Sequence, residues 1–302
     1  MSIFFGETNC SECTRKAYYE TNNEYRCGLH SKKDNRTKLK KNPKAKERRE
    51  TELKLHKESV KKQRKLNTPG SITCYKMKMM KSIPLKKGVL NVFPNNKHKN
   101  RKDGYGCASL SPMQLGPVKH GQKRLPDAKS IENYHQFNKC FPIEQEDGEI
   151  LLKFYKKQRD AYNDPIPHRH KFKSSDIKKM NKEFVNGNVN IPMFSIHKDG
   201  NGKERRYTYV ESRFFYCIWY EKLALEQPHF QKLKQKLEDG YNLCICGYDA
   251  YQPTEDLYTH YCDKSRPFGH ELVLYSLLIG EKPWRRYYEE HKEKYVPLSF
   301  KI

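Results

Sequence analysis

The sequence predicts an α/β protein: an N-terminal zinc knuckle and basic arm, followed by a Rossmann-like α/β domain with an inserted segment. Three observations predict this architecture. Cysteine and histidine pairs lie near the start, a block rich in lysine and arginine follows, and strand-like and helix-like patterns alternate in the apolar C-terminal region. We therefore divide the chain into residues 1–31, 32–68 and 69–302, with the insert at about 142–205.

The knuckle is predicted by Cys10-x2-Cys13 and Cys27-x2-His30. Tetrahedral zinc takes thiolate and imidazole ligands, and each closely spaced pair can close on one side of the ion. The thirteen residues between the pairs suit a small hairpin or a treble-clef turn. These four side chains are therefore the predicted ligands of a structural zinc ion. The sequence leaves open whether the knuckle contacts nucleic acid or protein, and its basic and tyrosine residues favour nucleic acid.

The basic block covers residues 32–66, with 16 Lys and Arg against 5 Asp and Glu. Pro43 separates a predicted extended arm from a predicted helix over about 44–66, which lacks a continuous apolar stripe. Such cations can bind phosphates by releasing counterions, whereas the alternative is a disordered, solvating linker. The run also suits a nuclear address. The candidate nucleic-acid-binding residues are Arg36, Lys38, Lys40, Lys41, Lys44, Lys46, Arg48 and Arg49.

The net charge of +24, from 60 Lys and Arg against 36 Asp and Glu, indicates a polyanionic partner, most simply DNA or RNA. No run of 18 apolar residues and no secretory signal is found, so we expect no membrane partner and an intracellular location. Ten cysteines in such a chain suggest a reducing compartment, with the nucleus and a virion left open.

The C-terminal domain shows alternating strand and helix patterns. Phe214, Cys217, Ile218 and Leu225 recur at helical spacing and predict one buried face. A turn at 199–202 predicts a hairpin over 190–210. The predicted strands are 71–81, 88–93, 206–210 and 242–247, and the predicted helices are 127–141, 150–162, 211–225, one ending at Asp239 and one from His270 to Ile279.

A long glycine-containing loop is predicted over residues 94–126. Its spacing matches neither a Walker loop nor a dinucleotide fingerprint, but backbone amides at glycines can cradle a phosphate. Long loops inside compact domains are often functional, so we expect this one to line a pocket. The candidate ligand-binding residues in this loop are Gly104, Gly106, Ser109, Ser111 and Gly116, and Tyr248, which follows the predicted strand 242–247, is a further candidate.

The candidate catalytic residues are Glu211, Arg213, Asp249 and His270. The first two open a predicted helix, Asp249 follows a buried strand, and His270 with Glu271 opens the last helix. Taken singly, each is better explained as a helix cap or a partner in a surface ion pair. Together they occupy the strand ends and helix starts at which α/β folds build ligand sites.

A second metal site is an alternative for Cys244-x-Cys246 with His260-x-Cys262. Alternate residues of a strand point to one face, which suits a ligand pair. Two small apolar side chains packed against a helix explain the same spacing, and the sequence leaves the choice open.

The stretch Gly240-Tyr-Asn-Leu-Cys-Ile-Cys-Gly247, with His270-Glu-Leu-Val-Leu274, resembles the ending of an uncharacterised phage and bacterial family. That family pairs a GKxLxCxC strand with a CHxxxL helix, and its earlier strand and loop resemble residues 89–93 and 110–117. Gly269 stands where the family has cysteine. The resemblance covers about half of the domain and implies a Rossmann-like fold that handles nucleotides or bases. The overall composition resembles that of proteins from large DNA viruses.

The leading functional hypothesis is a nucleic-acid-associated zinc-binding protein whose α/β domain recognises a nucleotide or serves as a scaffold. One alternative is an enzyme that processes a nucleotide or base, with glycosidase-like or transferase-like chemistry. A further alternative is a virion structural or assembly protein that meets other virion components. The sequence does not decide whether the chain is an enzyme.

Overall fold

The computed structural model describes residues 4–31, 35–40, 42–64, 69–79, 82–183 and 192–297 of the 302-residue chain. It divides into two compact units, Met1–Ser59 and Val60–Ile302. The boundary falls within one long helix, so both units contribute residues to it.

The first unit is built from short antiparallel strands and most of the long helix. Its elements are β1 (Asn9–Cys10), β2 (Cys13–Lys16), β3 (Tyr19–Thr21), β4 (Glu24–Arg26), β5 (Thr37–Lys38) and α1 (Pro43–Gln63). β1 pairs with β2, and β3 lies between β4 and β5. Asn22 and Asn23 join β3 to β4 with φ values of 51° and 61°, the left-handed conformation that tight hairpins require and asparagine tolerates.

The predicted basic arm is partly folded onto this unit. β5 pairs antiparallel with β3, and the side chain of Leu39 is buried. Backbone bonds continue the attachment, because Leu39 N donates to Tyr18 O at 3.1 Å and Phe5 N donates to Lys40 O at 2.9 Å. Residues 37–38 are therefore extended, as predicted, but they form a paired strand of this unit. The free edge of β3 satisfies its hydrogen bonds with this segment, and Leu39 removes apolar surface from water.

The predicted helix over about 44–66 is confirmed as α1, which spans Pro43–Gln63. Its start is favoured by Asn42, whose side-chain oxygen accepts a hydrogen bond from Lys44 N at 3.0 Å. Leu55 is 60% exposed, and most positions from 43 to 58 are open to solvent. The helix therefore presents a largely charged surface, as its lack of an apolar stripe predicts.

The described residues of the second unit contain a parallel sheet, two antiparallel sheets and a group of helices. Its strands are β6 (Ile72–Lys76), β7 (Val89–Phe93), β8 (Tyr105–Gly106), β9 (Lys139–Cys140), β10 (Gln145–Glu146), β11 (Glu149–Ile150), β12 (Phe194–Lys198), β13 (Glu204–Tyr207) and β14 (Asn242–Gly247). Its helices are α2 (Ile131–Phe137), α3 (Leu152–Asn163), α4 (Ser174–Glu183), α5 (Tyr209–Leu225), α6 (Pro228–Glu238), α7 (Leu257–Cys262), α8 (His270–Ile279) and α9 (Pro283–Glu290).

The parallel sheet has the strand order β6-β14-β7-β8, and every pairing in it is parallel. The predicted strand at 242–247 is confirmed as β14, which is paired on both sides. Leu243 and Ile245 join the main hydrophobic core, whereas Cys244 and Cys246 join a smaller apolar cluster. This alternation follows from the two-residue period of a strand, and it shows that both faces of β14 are covered.

Helix α5 forms the centre of the main core. Residues 212–221 are all buried, and the helix contacts α2, α6, α8, α9, β12 and β13. The prediction of a single buried face is therefore wrong, since neighbours surround most of the helix. Leu225, predicted to be part of that face, is 37% exposed at its end.

Capping residues explain two boundaries that differ from prediction. The strand predicted at 206–210 ends at Tyr207, because Thr208 and Glu211 form a capping box that starts α5 at Tyr209. The helix predicted over 127–141 spans only α2, since Ser130 accepts a hydrogen bond from Asn133 N and caps it. The residues after α2 form β9, which pairs with β12 in the sheet β13-β12-β9.

The loop predicted over 94–126 is more structured than expected. It contains β8 and two short 3-10 helices, at Asn96–His98 and Ala108–Leu110. Leu110, Leu115 and Val118 are fully buried. The apolar side chains of this segment anchor it to the core, and its role in lining a pocket stays a prediction.

A buried carboxylate joins α5 to α9. Glu221 is 2% exposed, and Trp284 Nε1 donates to its Oε2 at 2.8 Å. Arg285 donates to both carboxylate oxygens, at 2.7 and 3.1 Å, and Lys282 Nζ lies 2.8 Å from Oε1. Burial opposes ionisation, but these donors outweigh it and lower the pKa of Glu221 below its ordinary value of 4.5.

We expect Glu221→Gln to lower the free energy of unfolding by about 2 kcal/mol near neutral pH, because two cations lose a buried partner. Since the pKa is lowered on folding, this stabilisation is present above the ordinary value of 4.5 and is lost as pH falls through the lower folded value. Urea unfolding at several pH values measures the difference. Glu238→Gln, at an exposed position, is the control. A pH-independent difference would contradict the assignment.

Candidate functional sites

The four predicted metal ligands come together in the first unit. The ligand atoms of Cys10, Cys13, Cys27 and His30 all lie within 4.8 Å of one another, close enough to hold one metal ion. Cys10 Sγ is 3.4 Å from His30 Nδ1, and Cys13 Sγ is 3.9 Å from Cys27 Sγ. Two cysteines are buried, and the histidine is partly open to solvent.

The hairpins position these ligands. Cys10 and Cys13 are paired residues at the turn between β1 and β2, and Cys27 follows β4 directly. A turn closed by the bond from Ser31 N to Cys27 O, 3.1 Å long, carries His30 back toward the cysteines. Burial raises the pKa of Cys10, but hydrogen bonds from the Cys27 backbone and then from His30 outweigh it and bring the value to about 7. The cluster therefore favours the thiolate, which is the form that binds metals.

The alternative second metal site does not assemble. Among the described residues, the N-terminal group is the only set of three or more potential ligands that lie close enough. Cys244 and Cys246 are neighbours, with Sγ atoms 3.9 Å apart, in the apolar cluster formed with Met77, Ile83 and Phe93. His260 and Cys262 lie on α7 and are not part of this cluster. The structure gives the two strand cysteines a packing role.

The candidate nucleic-acid-binding residues differ in their surroundings. Lys46, Arg48 and Arg49 on α1 form ion pairs with Glu50 or Glu52 at 3.1–3.9 Å. Such exposed pairs are weak and can be given up to a phosphate.

The remaining candidates precede these pairs in the chain. Arg36 stacks over the ring of Tyr19 at 4.2 Å, and Lys38 lies 5.7 Å from the ring centre of Phe5. Lys40 and Lys44 are exposed. Lys41 lies outside the described residues.

The glycines of the predicted ligand loop are placed in tight backbone packing. A Cβ atom would lie 2.3 Å from Asn91 O at Gly104, 2.4 Å from Lys99 O at Gly106 and 2.2 Å from Lys129 O at Gly116. Such distances explain glycine at all three positions without a phosphate.

The two serines of this loop also have partners in the chain. Ser109 Oγ lies 2.7 Å from His229 Nδ1, and Ser111 Oγ accepts a long bond from Met113 N. Their role in ligand binding stays a prediction.

Glu211 and Arg213 hold the chain together. Glu211 caps α5 through Thr208 and lies 3.5 Å from Lys294 Nζ. Arg213 is 3% exposed, and its guanidinium donates to the backbone carbonyls of Tyr261, Asp263 and Arg266. Both contact sets are structural, so a catalytic role for these two residues has no support in their geometry.

Asp249 and His270 meet at the carboxyl end of β14, where Glu271 joins them. A Cβ atom placed on Gly269 would lie 3.2 Å from Glu271 Oε2 and 3.8 Å from Asp249 Oδ2. His270 Nδ1 is 3.1 Å from Glu271 Oε2. The end of a parallel strand and the start of α8 thus converge, as expected for a ligand site in an α/β fold. We name Asp249, His270, Glu271 and their neighbour Asn95 the sheet-edge cluster.

Glu271 and Asn95 were absent from the predicted catalytic set. Asn95 Nδ2 lies 3.5 Å from both Glu271 Oε1 and Cys246 O. For Asn95, the available signal in the sequence was its position two residues beyond the predicted strand 88–93. For Glu271, the signal was its position beside His270. Gly247 makes room for the carboxylate, because a Cβ there would lie 1.9 Å from Glu271 Oε1.

The electrostatics of the cluster are dominated by two acids. Desolvation and then the nearby Glu271 carboxylate raise the pKa of Asp249, although the residue as a whole is exposed. His270, Arg169 and Lys76 act in the opposite direction and do not cancel the increase. A raised carboxyl pKa beside a second acid is the arrangement used for general acid–base work.

No family model, curated protein or solved structure matches this chain. Among its described residues, no helix has both the length and the apolar character needed to cross a membrane. The two sites are therefore interpreted from their own geometry.

We expect Cys27→Ser to abolish stoichiometric metal binding, because it removes a buried ligand from the cluster. Elemental analysis after gel filtration should find about one metal ion per wild-type chain and a residual fraction in the variant. Cys262→Ser, which changes a cysteine outside the cluster, is the control. Equal metal content in wild type and Cys27→Ser would show that these residues are not the ligands.

Proposed function

We propose that the chain is a nucleic-acid-associated zinc-binding protein. The observation that carries the proposal is a row of cations on the metal-cluster unit without acidic partners. Within the described residues, no ion pair is found for Arg36, Lys38, Lys40 or Lys44. Together with the net charge of +24, this surface suits the phosphates of DNA or RNA.

Zinc is the metal that best fits the cluster. Tetrahedral bonds of about 2.3 Å to sulfur and about 2.1 Å to nitrogen give ligand separations of about 3.8 Å between sulfurs and about 3.6 Å between sulfur and nitrogen. The separations of 3.9 Å and 3.4 Å are close to these values. Three cysteines and one histidine form a closed ligand set, which suits a structural ion.

The proposed zinc ion would position the phosphate-binding surface. Arg36 and Lys38 lie on or beside β5, which pairs with β3, and β3 is held to β4, directly before Cys27. Arg36 also donates to Ser31 Oγ at 3.1 Å, next to His30. Through these contacts the metal ligands and the cations belong to one small framework.

We expect the fourfold variant with glutamine at Arg36, Lys38, Lys40 and Lys44 to bind duplex DNA more weakly and with a shallower salt dependence. Each lost phosphate contact lowers the slope of log K against log salt by about 0.9, so the full effect is up to about 3.6. Fluorescence anisotropy across a salt series measures the slope, with an RNA of the same sequence in parallel.

The matched control replaces Lys153, Lys156, Lys232 and Lys234 with glutamine, which removes the same charge from exposed positions of the second unit. Its slope should stay near that of wild type. Equal effects of the two variants, or no binding to either nucleic acid, would contradict the proposal.

A second candidate function is the processing of a nucleotide or base at the sheet-edge cluster. The specific observation is a pair of carboxyl groups, Asp249 and Glu271, beside His270 at the carboxyl end of β14. In glycosidase-like or transferase-like chemistry, one carboxylate stabilises a developing ribosyl cation and a group of raised pKa transfers the proton. Here Asp249, whose pKa is raised, would transfer the proton, and the buried carboxylate of Glu271 would hold the departing base.

Two supporting proposals concern ancestry. The parallel sheet, with polar side chains at its carboxyl edge, supports a Rossmann-like fold. It also supports common ancestry with the phage and bacterial family that residues 240–247 and 270–274 resemble. One departure is that the described residues between β6 and β7 contain no helix. A role in virions stays a separate prediction.

For the second candidate, we expect Asp249→Asn to reduce release of free base from nucleosides or NAD at least about a hundredfold, since general acid–base catalysis contributes that much. Chromatography of the products measures it. Circular dichroism should show unchanged folding, because Asp249 lies at the surface. If the wild-type chain releases no base from any of these substrates, the second candidate is wrong.

A further inference from the structure

We propose that the sheet-edge cluster binds a guanine-type base, with Glu271 accepting hydrogen bonds from its N–H edge and Tyr248 stacking against its ring. This inference rests on the second candidate function, because it names the ligand of that same site.

The first reason is an acceptor without a donor. Glu271 is 2% exposed, and its Oε2 atom has no hydrogen-bond partner among the described residues. In the described part of the chain, the one hydrogen bond to its other oxygen is the 3.5 Å contact with Asn95 Nδ2. Buried carboxylates in native proteins normally receive several donors. A ligand that supplies them would complete the site.

The second reason is that acceptors outnumber donors around this point. Glu271 Oε2 and Asp249 Oδ2 both lie near Gly269, at 3.2 and 3.8 Å from the point that a Cβ atom on that residue would occupy. His270 Nδ1 lies 3.1 Å from Oε2 but makes no hydrogen bond with it, and the buried His270 Nε2 atom has no partner among the residues that the structure describes. The ligand must therefore bring more than one N–H group on the edge that enters.

The third reason is an exposed aromatic ring next to Asp249. Tyr248 directly precedes Asp249 at the end of β14 and is 43% exposed. Its ring centre lies 6.0 Å from that of His98. Exposed rings of this kind stack on nucleobases with little dependence on sequence. A planar ligand is thus favoured over a flexible amine.

Ring size separates a nucleobase from a small guanidinium ion. The two carboxylates would attract a guanidinium, but that group offers the exposed ring of Tyr248 a much smaller stacking surface than a purine does. Guanine is neutral and presents N1–H and a 2-amino group side by side, which match a carboxylate. Adenine and cytosine each place an acceptor next to their amino group, and that acceptor would face the carboxylate.

Binding of uncharged nucleosides to the full chain tests the inference by isothermal titration calorimetry. Nucleosides are chosen because they lack the phosphates that the basic first unit would attract. Guanosine should bind at least about tenfold more tightly than inosine, which lacks the 2-amino group, and than adenosine. Glu271→Gln should reduce the guanosine preference to near parity, because its amide presents a donor to a donor.

Tyr248→Ala, at an exposed position, keeps the test decisive if Glu271→Gln fails to fold. This substitution should weaken the binding of all three nucleosides by a similar factor of about five or more, since stacking is insensitive to the base edge. Equal affinity of wild type for the three nucleosides, undetectable binding, tighter binding of methylguanidine, or an unchanged Tyr248→Ala variant would each overturn the inference.

The two claims on this site can fail separately. Guanosine preference without base release would remove the enzyme function and leave the guanine site in place. Base release from adenosine and guanosine alike, with no preference dependent on Glu271, would keep the activity and remove the inference.

Discussion

The two-sided parallel pairing of β14 is the constraint on which the second unit depends. A strand paired on both edges and covered on both faces must be apolar throughout its middle, and residues 243–246 meet that requirement. Because β6 and β7 run parallel to it, their carboxyl ends share one edge of the sheet with that of β14. Polar residues that follow these strands are therefore brought to one place, and Asn95 and Asp249 are two of them.

Glycine makes this edge possible. Gly247 lets the carboxylate of Glu271 occupy the space that a Cβ atom would fill, and Gly269 lets β14 and α8 converge around the same acid. The glycines of the loop before α2 serve a similar purpose against backbone carbonyls. In both places close packing, rather than turn geometry, explains why glycine is present.

The sequence predicted the features that depend on local pattern. The ligand spacing of Cys10 and Cys13, the strand 242–247 and the helix beginning at His270 all follow from residue periodicity and caps. It could not predict features that depend on distant partners. The burial of Arg213 depends on carbonyls some fifty residues further along the chain, and the strand β5 depends on the open edge of β3.

The same limit explains the partial success at the candidate site. Asp249 and His270 were predicted because strand ends and helix starts are visible in the sequence. Glu211 occupied an equivalent helix start, but its side chain is used by the capping box with Thr208. Whether an acid at a helix start caps or remains free for a ligand depends on the residue at the cap position. Gly269 precedes α8 and has no side chain with which to make such a box.

Amide chemical-shift mapping during a guanosine titration would test the central claim most directly, that the carboxyl edge around β14 is a ligand site. The account predicts that the largest changes fall on Asn95, residues 247–249 and residues 269–271, and that they are lost in Glu271→Gln. Changes concentrated elsewhere in the chain, or no changes at concentrations that saturate calorimetric binding, would contradict it.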